Sequence, residues 1–224
     1  MPDRGNVTVL KLDDQLRIGQ PIEDSKALTF TASDSINGVV DREMRLKDRA
    51  QIRRNGTVAK GNEIIYNPDT DVADLIGNAE LIKGNANFKG PKARLKVDAR
   101  DGEMELPVYE IGDSRASGKA KKLTIESGDI FVFDNATYTT CTPENLDWYF
   151  TANKIEIDNE QKEMRGQDGV MHLFDVPVAY VPYFSLPTGR ERRSGILPPI
   201  AGYNSKNGVD ITPVSYTHLT LPTK

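Results

Sequence analysis

The sequence offers few residues that could carry chemistry. The 224-residue chain has two histidines, His172 and His218, and one cysteine, Cys141. It contains no HExxH or GxSxG motif and no phosphate-binding loop. The many carboxylates are spread over predicted turns and exposed strand faces, and the paired-carboxylate cleft that a carbohydrate-processing β-sandwich enzyme needs cannot be located. The sequence therefore predicts no catalytic residue, no metal site, no cofactor and no enzyme, and a plain strand histidine is favoured at His172.

Two features leave alternatives open. Cys141 can be inert packing, a nucleophile, or one half of a disulfide whose partner lies elsewhere. The basic cluster Arg190, Arg192 and Arg193 can bind phosphate groups bidentately, or it can be a solvated linker.

The composition narrows the class of protein. Charged residues make up 28% and apolar residues 38% of the chain, which is typical of a soluble globular protein. A net charge of −4 gives no basic face for nucleic acid. No apolar run reaches the ~18 residues of a membrane-spanning helix. The start of the chain has no apolar signal core, so either the protein is not exported or its true N-terminus is missing.

Strand patterns dominate the chain and position these residues. Short apolar runs alternate with Asn, Asp, Gly and Pro punctuation, and no long helical pattern is found. In "NKIEIDNEQKE", Ile155 and Ile157 share one face of a strand, while Lys154 and Glu156 lie on the other. The stretch "VVDREMRLKDRAQIRRNG" is charged like a surface helix but fits strand spacing. The sequence therefore predicts an all-β protein.

A weak internal repeat suggests how the strands stack. "AQIRRNGTVAKGNEIIY" from Ala50 matches "AELIKGNANFKGPKARLKV" from Ala79 with one gap, a spacing of 79 − 50 = 29 residues. A third echo runs from "NATYTTC" to "KIEIDNEQKE". Stacked layers of this kind make a β-sandwich or an open, V-shaped jelly roll with an apolar inner surface.

Two segments carry a resemblance to a known family. They are "GDIFVFDNATYTTCTPENLDWYFTANKIEIDNEQKE", residues 128–163, and "VPVAYVPYFSLPTGRERRSGILPPIAGY", residues 176–203. In this order they resemble the lipopolysaccharide (LPS)-assembly proteins of the Gram-negative outer membrane, and the stretch 30–110 resembles the OstA-type repeat. The resemblance covers the chain up to Pro213.

The resemblance implies a periplasmic, OstA-like open β-jelly roll followed by the first strand of a truncated outer-membrane β-barrel. It implies LPS transport to the outer leaflet at the cell outer membrane, with the roll facing the periplasm. The implied partners are LPS, an LptA-like periplasmic bridge protein bound by edge-strand addition, and an LptE-like lipoprotein plug in the barrel. It also implies that Cys141 forms a disulfide with a partner in a missing C-terminal part.

Together, the residue patterns and the resemblance predict an apolar groove that shelters lipid acyl chains and catalyses no reaction. We expect the groove to be lined by nine residues: Ile64, Tyr66, Leu81, Leu95, Val97, Ile125, Phe133, Ile155 and Ile157. Arg190, Arg192 and Arg193 are the expected contacts for LPS phosphates. The alternative is a soluble periplasmic bridge protein of the same repeat family, which would have no use for the Pro-rich junction near residue 187.

The domain boundaries follow from the same patterns. Residues 1–180 are predicted to form the jelly roll, and 181–213 the junction and the first barrel strand. The codons of "VSYTHLTLPTK", residues 214–224, can be written to match a transposon-based sequencing adapter, so this tail is predicted to be non-native. The natural protein is then expected to continue beyond Pro213.

Overall fold

A computed structural model describes residues 29–39, 42–98, 101–112, 116–126, 129–142, 146–188, 195–204 and 208–216. Every regular element in these ranges is a β-strand, and no helix in them has the length and hydropathy to cross a bilayer. The strands are β1 (Phe30–Ala32), β2 (Ser35–Val39), β3 (Glu43–Arg54), β4 (Thr57–Asn67), β5 (Val72–Lys83), β6 (Ala86–Lys96), β7 (Asp101–Glu105), β8 (Val108–Ile111), β9 (Ala116–Lys119), β10 (Lys122–Glu126), β11 (Ile130–Tyr138), β12 (Trp148–Asp158), β13 (Glu163–Leu173), β14 (Val176–Pro187), β15 (Gly195–Asn204) and β16 (Gly208–Tyr216).

The first fourteen strands form one antiparallel sheet. Its main order is β1-β3-β4-β5-β6-β7-β10-β11-β12-β13-β14, and β2 also pairs with β3. Strand β6 has two partners on one side: its first half pairs with β8 and its second half with β7. Strands β15 and β16 form a separate hairpin. The sheet does not close on itself, because β1–β2 and β14 are edges among the described strands.

The long strands bend midway, and this bend turns one sheet into two facing layers. The pairing register slips between Lys47 and Ala50, between Lys60 and Glu63, and between Ile76 and Ala79. We call the half containing β1, β8, β9, the end of β3 and the start of β4 the first layer. The half containing β2, β7, β10, the start of β3 and the end of β4 is the second layer. The end of β5, the start of β6, the end of β11 and the start of β12 belong to the first layer, and the other halves of these strands belong to the second.

Residue types that tolerate a left-handed backbone lie along this bend. Asp48, Gly77, Asn78 and Asp168 all have positive φ there. Two of them hydrogen-bond to side chains on neighbouring strands: Asn78 donates to Asn62 at 3.3 Å, and Asp168 accepts from Asn153 at 3.1 Å. The local Asn, Asp and Gly pattern therefore sets the line along which the sheet folds over.

The break between β1 and β2 lies next to the same bend. The backbone N–H of Asp34 donates to the carbonyl of Asp48 at 3.0 Å. The Arg49 guanidinium hydrogen-bonds the Asp34 carboxylate, with an ion-pair distance of 2.6 Å, and lowers the pKa of Asp34. The N-terminal edge of the sheet is therefore divided into two short strands, with β1 on one side of the bend and β2 on the other.

The core lies between the two layers. Phe88 of the first layer meets Phe131 and Phe133 of the second layer, with ring centroids 5.0 Å and 6.2 Å apart. Tyr109 lies 4.4 Å from Phe133, and its hydroxyl donates to the carbonyl of Thr137 at 2.7 Å. Burial raises the pKa of the Tyr109 hydroxyl. Aromatic contacts therefore join the two layers near their middle.

The internal repeat has a structural basis. Ala50 pairs with Gly61 in the β3–β4 hairpin, and Ala79 pairs with Gly90 in the β5–β6 hairpin. Both alanines follow the bend directly and are almost fully buried. Small residues recur there because the layers approach each other closely at the bend.

The predicted all-β class and open jelly roll are confirmed. The charged stretch near Arg45 is part of β3. Strand β14 stays paired with β13 as far as Pro187, beyond the predicted boundary at residue 180. The backbone of Val214 to Tyr216 continues β16 and pairs with β15, and residues 217–224 of the predicted tail lie outside the described residues. The barrel strand and the non-native tail stay predictions.

Candidate functional site

The predicted groove residues share the interior between the layers. Their strands alternate so that one face of each is buried. Eight of the nine are at most 7% exposed, and Val97 is half-buried against the same core. The buried eight are Ile64, Tyr66, Leu81, Leu95, Ile125, Phe133, Ile155 and Ile157. The structure therefore gathers all nine on one continuous apolar surface.

The charged residues that alternate with the groove residues along the same strands face outward. Glu63 lies 3.5 Å from Arg45, and Glu156 lies 3.5 Å from Arg165, each in a pair across neighbouring strands. The alternation of apolar and charged residues in the sequence thus corresponds to an apolar interior and an ion-paired outer face.

The interior is narrow beside the mouth. A cavity of about 30 Å³ remains between the layers, the volume of about one water molecule. The side chains of Ile52, Ala59 and Leu81 line it from the first layer, and those of Leu95, Val97 and Ile125 from the second. An acyl chain can therefore enter this space only if the layers separate.

The free ends of the layers form a mouth opposite the bend. The lip of the second layer is fixed by Asp71, whose carboxylate accepts hydrogen bonds from the Tyr66 hydroxyl at 3.0 Å and from the backbone N–H of Asp98. Burial, with the nearby Asp71 carboxylate, raises the pKa of Tyr66 to about 12. The Tyr66 ring therefore seals the interior while its hydroxyl reaches the polar lip.

Two ion pairs cross this mouth. Arg54 of the first layer lies 2.5 Å from Asp98 of the second, and Lys83 of the first lies 3.9 Å from Asp129 of the second. The Lys83 ammonium also lies 5.9 Å from the centre of the Phe131 ring. The cationic side chains are 20% and 14% exposed, whereas the aspartates are 55% and 41% exposed.

Cys141 lies just after β11, half-buried, as a free thiol. Its backbone N–H donates to the Thr139 hydroxyl at 3.0 Å, and that hydroxyl donates to the carbonyl of Trp148 at 2.7 Å. These bonds fix the position of the thiol at the end of the first layer. With one cysteine in the chain, the disulfide stays a prediction.

The other predicted residues do not join the interior. His172 stacks on Tyr149, with ring centroids 4.6 Å apart, as a strand histidine. Arg190, Arg192 and Arg193 lie outside the described residues, so their phosphate contact stays a prediction. Within the described ranges, no three His, Cys, Asp or Glu side chains converge as metal ligands do.

Sequence reasoning missed a pair of glycines that shape the interior. A Cβ atom on Gly166 would lie 2.0 Å from the Phe184 ring, and one on Gly169 would lie 2.7 Å from it. The Phe184 ring also stacks on Phe150, with centroids 5.6 Å apart. The sequence contains the Gly-x-x-Gly spacing in β13, but the spacing indicates a packing site only once the aromatic ring opposite it in β14 is known.

Comparisons with known proteins place the chain among relatives. No family model matches it. It is 38% identical over 198 residues to the LPS-assembly protein LptD of Ralstonia nicotianae, which covers 88% of this chain and 24% of the relative. It is 40% identical to LptD of Cupriavidus necator and 34% identical to LptD of Burkholderia cenocepacia, covering 87% and 91% of this chain and 24% and 26% of those relatives.

One solved structure with similarity is LptH of Pseudomonas aeruginosa, the LptA-homologous periplasmic component of a lipopolysaccharide transport device. It has a TM-score of 0.41 and 10% identity, and the match covers 46% of this chain and 79% of that one. The chain spans about a quarter of the length of its sequence relatives. By the sequence similarity along most of its own length, the chain belongs to the family of the LPS-assembly proteins LptD.

Proposed function

We propose that the interior between the two layers is a conduit for LPS acyl chains during LPS transport and assembly at the outer membrane. The observation that carries this proposal is the continuous apolar interior, which is bounded by an open sheet rather than a closed barrel. An open sheet can widen at its mouth without breaking the hydrogen bonds between its strands.

The energetics favour a role in shielding acyl chains from water rather than in catalysing a reaction. Each acyl CH₂ group exposed to water costs ~0.8 kcal/mol, so a lipid crossing an aqueous space needs an apolar surface along its path. Ile64, Leu81, Phe133 and Ile155 offer such a surface and have no role that requires a reactive group. The proposed activity is therefore transport and not catalysis.

The proposed partners follow from the edges of the sheet. Strand β14 carries Pro177, Pro182 and Pro187, which lack the N–H that an added strand would need. The β1–β2 edge carries no proline between Phe30 and Val39. We propose that an LptA-like bridge protein adds a strand at the β1–β2 edge in the periplasm. An LptE-like plug, a barrel in the outer membrane and the Cys141 disulfide belong to the same proposal.

The alternative is a soluble bridge protein of the same repeat family. Such a protein would share the jelly roll and the lipid-binding interior. The relatives named LPS-assembly protein LptD favour the main proposal over this alternative.

The single tryptophan of the chain provides a test. Trp148 is half-buried against the core, and its ring lies 5.9 Å from that of Phe150. Titrating the chain with an LPS preparation whose acyl chains carry bromine should quench Trp148 emission, because bromine quenches at contact. An unbrominated preparation is the control. Emission that stays unchanged at saturating brominated lipid would refute binding in the interior.

A further inference from the structure

The two cations at the mouth are more buried than the carboxylates they face. Arg54 and Lys83 extend from the ends of β3 and β5 and line the apolar cavity with their hydrocarbon stems. Asp98 and Asp129 lie on the solvent side of the same contacts. If the layers separate, the carboxylates can return to water, while the cations remain beside the apolar interior.

The ion pairs are suited to being exchanged. Pairs with an exposed partner contribute little to stability, so they can open at small cost. Within its own layer, the Arg54 guanidinium donates a hydrogen bond to the Thr29 hydroxyl at 2.8 Å. A cation beside an apolar surface still needs an anion when its carboxylate leaves.

We propose that Arg54 and Lys83 form a phosphate-binding site at the mouth, which the carboxylates of Asp98 and Asp129 occupy while the interior is empty. This proposal rests on the proposed function and names the part of the lipid that opens the roll. Acyl chains enter the space lined by Leu81 and Ile125, and the phosphates of the same molecule replace the carboxylates. Guanidinium groups bind phosphate through two parallel hydrogen bonds, and an ammonium binds it as a point charge.

Several features identify the ligand as an anionic amphiphile rather than a neutral lipid or free phosphate. The cations border the apolar cavity directly, so one molecule must supply both phosphate and hydrocarbon. Lys96 and Asp101 also line this cavity from the second layer, so the first lip presents the two cations while the second lip carries both signs of charge. A neutral lipid would bury the cations without an anion, and free phosphate would leave the layers closed.

The experiment measures the width of the mouth in the chain. Spin labels at Asn85 and Thr70, in the exposed turns at opposite ends of β5, report the distance between the lips; Cys141→Ser removes the natural thiol. The probes are bis-phosphorylated lipid A, its dephosphorylated form and inorganic phosphate. The bis-phosphorylated lipid should shift the distance distribution to longer values, and the dephosphorylated lipid should bind more weakly. Inorganic phosphate should leave the distribution unchanged.

Variants separate the two roles of the mouth. Asp98→Asn with Asp129→Asn removes the competing carboxylates and should bind the bis-phosphorylated lipid more tightly than the parent does. Arg54→Gln with Lys83→Gln should remove the preference for the phosphorylated lipid. The matched control is Glu80→Gln, which breaks the 2.8 Å pair with Lys60 on the outer face and should change neither measurement.

Two results would overturn the proposal. Binding of both lipid forms with equal affinity would show that phosphate is not recognised here, although the conduit would stand. Binding of the bis-phosphorylated lipid that is no tighter in the double Asn variant than in the parent would show that the carboxylates do not occupy the phosphate site. Failure of every lipid to bind would instead refute the proposed function, and this proposal with it.

Discussion

The rings of Phe88 and Phe131 meet edge to face at 5.0 Å, although the two residues belong to opposite layers of the folded sheet. Phe88 is fully buried, and its ring contacts both Phe131 and Phe133. The two layers therefore adhere through an aromatic cluster near the centre, while ion pairs connect them at the mouth.

Replacing Phe88 by Ala should remove much of the adhesion between the layers. We expect a loss of about 3–5 kcal/mol in the free energy of unfolding, which is the usual cost of deleting a buried aromatic ring. Phe174→Ala is the control, because Phe174 is 74% exposed, and it should cost less than about 0.5 kcal/mol. Urea unfolding measures both; equal losses would show that the cluster does not hold the layers.

A second prediction concerns the contact between Gly166 and the Phe184 ring. Gly166→Ala places a methyl group where the ring lies, so we expect a loss of about 1–3 kcal/mol. Adding Phe184→Ala to that variant should recover part of the loss, because the clash disappears. Gln167→Ala, at the adjacent exposed position, is the control. A Gly166→Ala variant as stable as the parent would contradict the packing described here.

The raised pKa of Tyr66 makes stability depend on pH at the alkaline end. The folded protein keeps Tyr66 protonated up to about 12, while the unfolded chain ionises it near 10. The folded state thus binds more protons between these values, so the free energy of unfolding should fall as the pH rises through this window. In Tyr66→Phe the fall should be shallower, and the raised pKa values of Tyr109, Tyr149 and Tyr180 act in the same direction. An unchanged slope in Tyr66→Phe would contradict this assignment.

The proposed strand addition at the β1–β2 edge predicts different effects at two neighbouring positions. Alternate residues of an edge strand direct their N–H outward, so Ile36→Pro and Asn37→Pro remove different hydrogen bonds. One variant should lose binding to the bridge protein and keep the parent stability. The other should lower the stability by breaking the pairing with β3. Full binding by both variants, measured by pull-down, would exclude this edge.

The sequence predicted which residues face the interior but not where the sheet bends. Alternation places Ile64 and Ile155 on the buried face because the period of a strand is two residues, and this holds whatever the strand pairs with. The bend depends on bulges that align across neighbouring strands. The role of Asn78 therefore becomes apparent only when the fold places it beside Asn62. The ion pairs across the mouth were not predictable either, since Arg54 and Asp98 meet only after the sheet folds over.

The central claim is that LPS contacts the interior face and not the outer face of the roll. It is tested most directly by photo-crosslinking in Gram-negative cells, with a diazirine-bearing residue placed at one position at a time. Labels at Ile64 and Ile155 should trap LPS, because these side chains lie between the layers, and labels at Glu63 and Glu156 should not. Equal trapping on both faces, or no trapping at Ile64 and Ile155, would contradict the account.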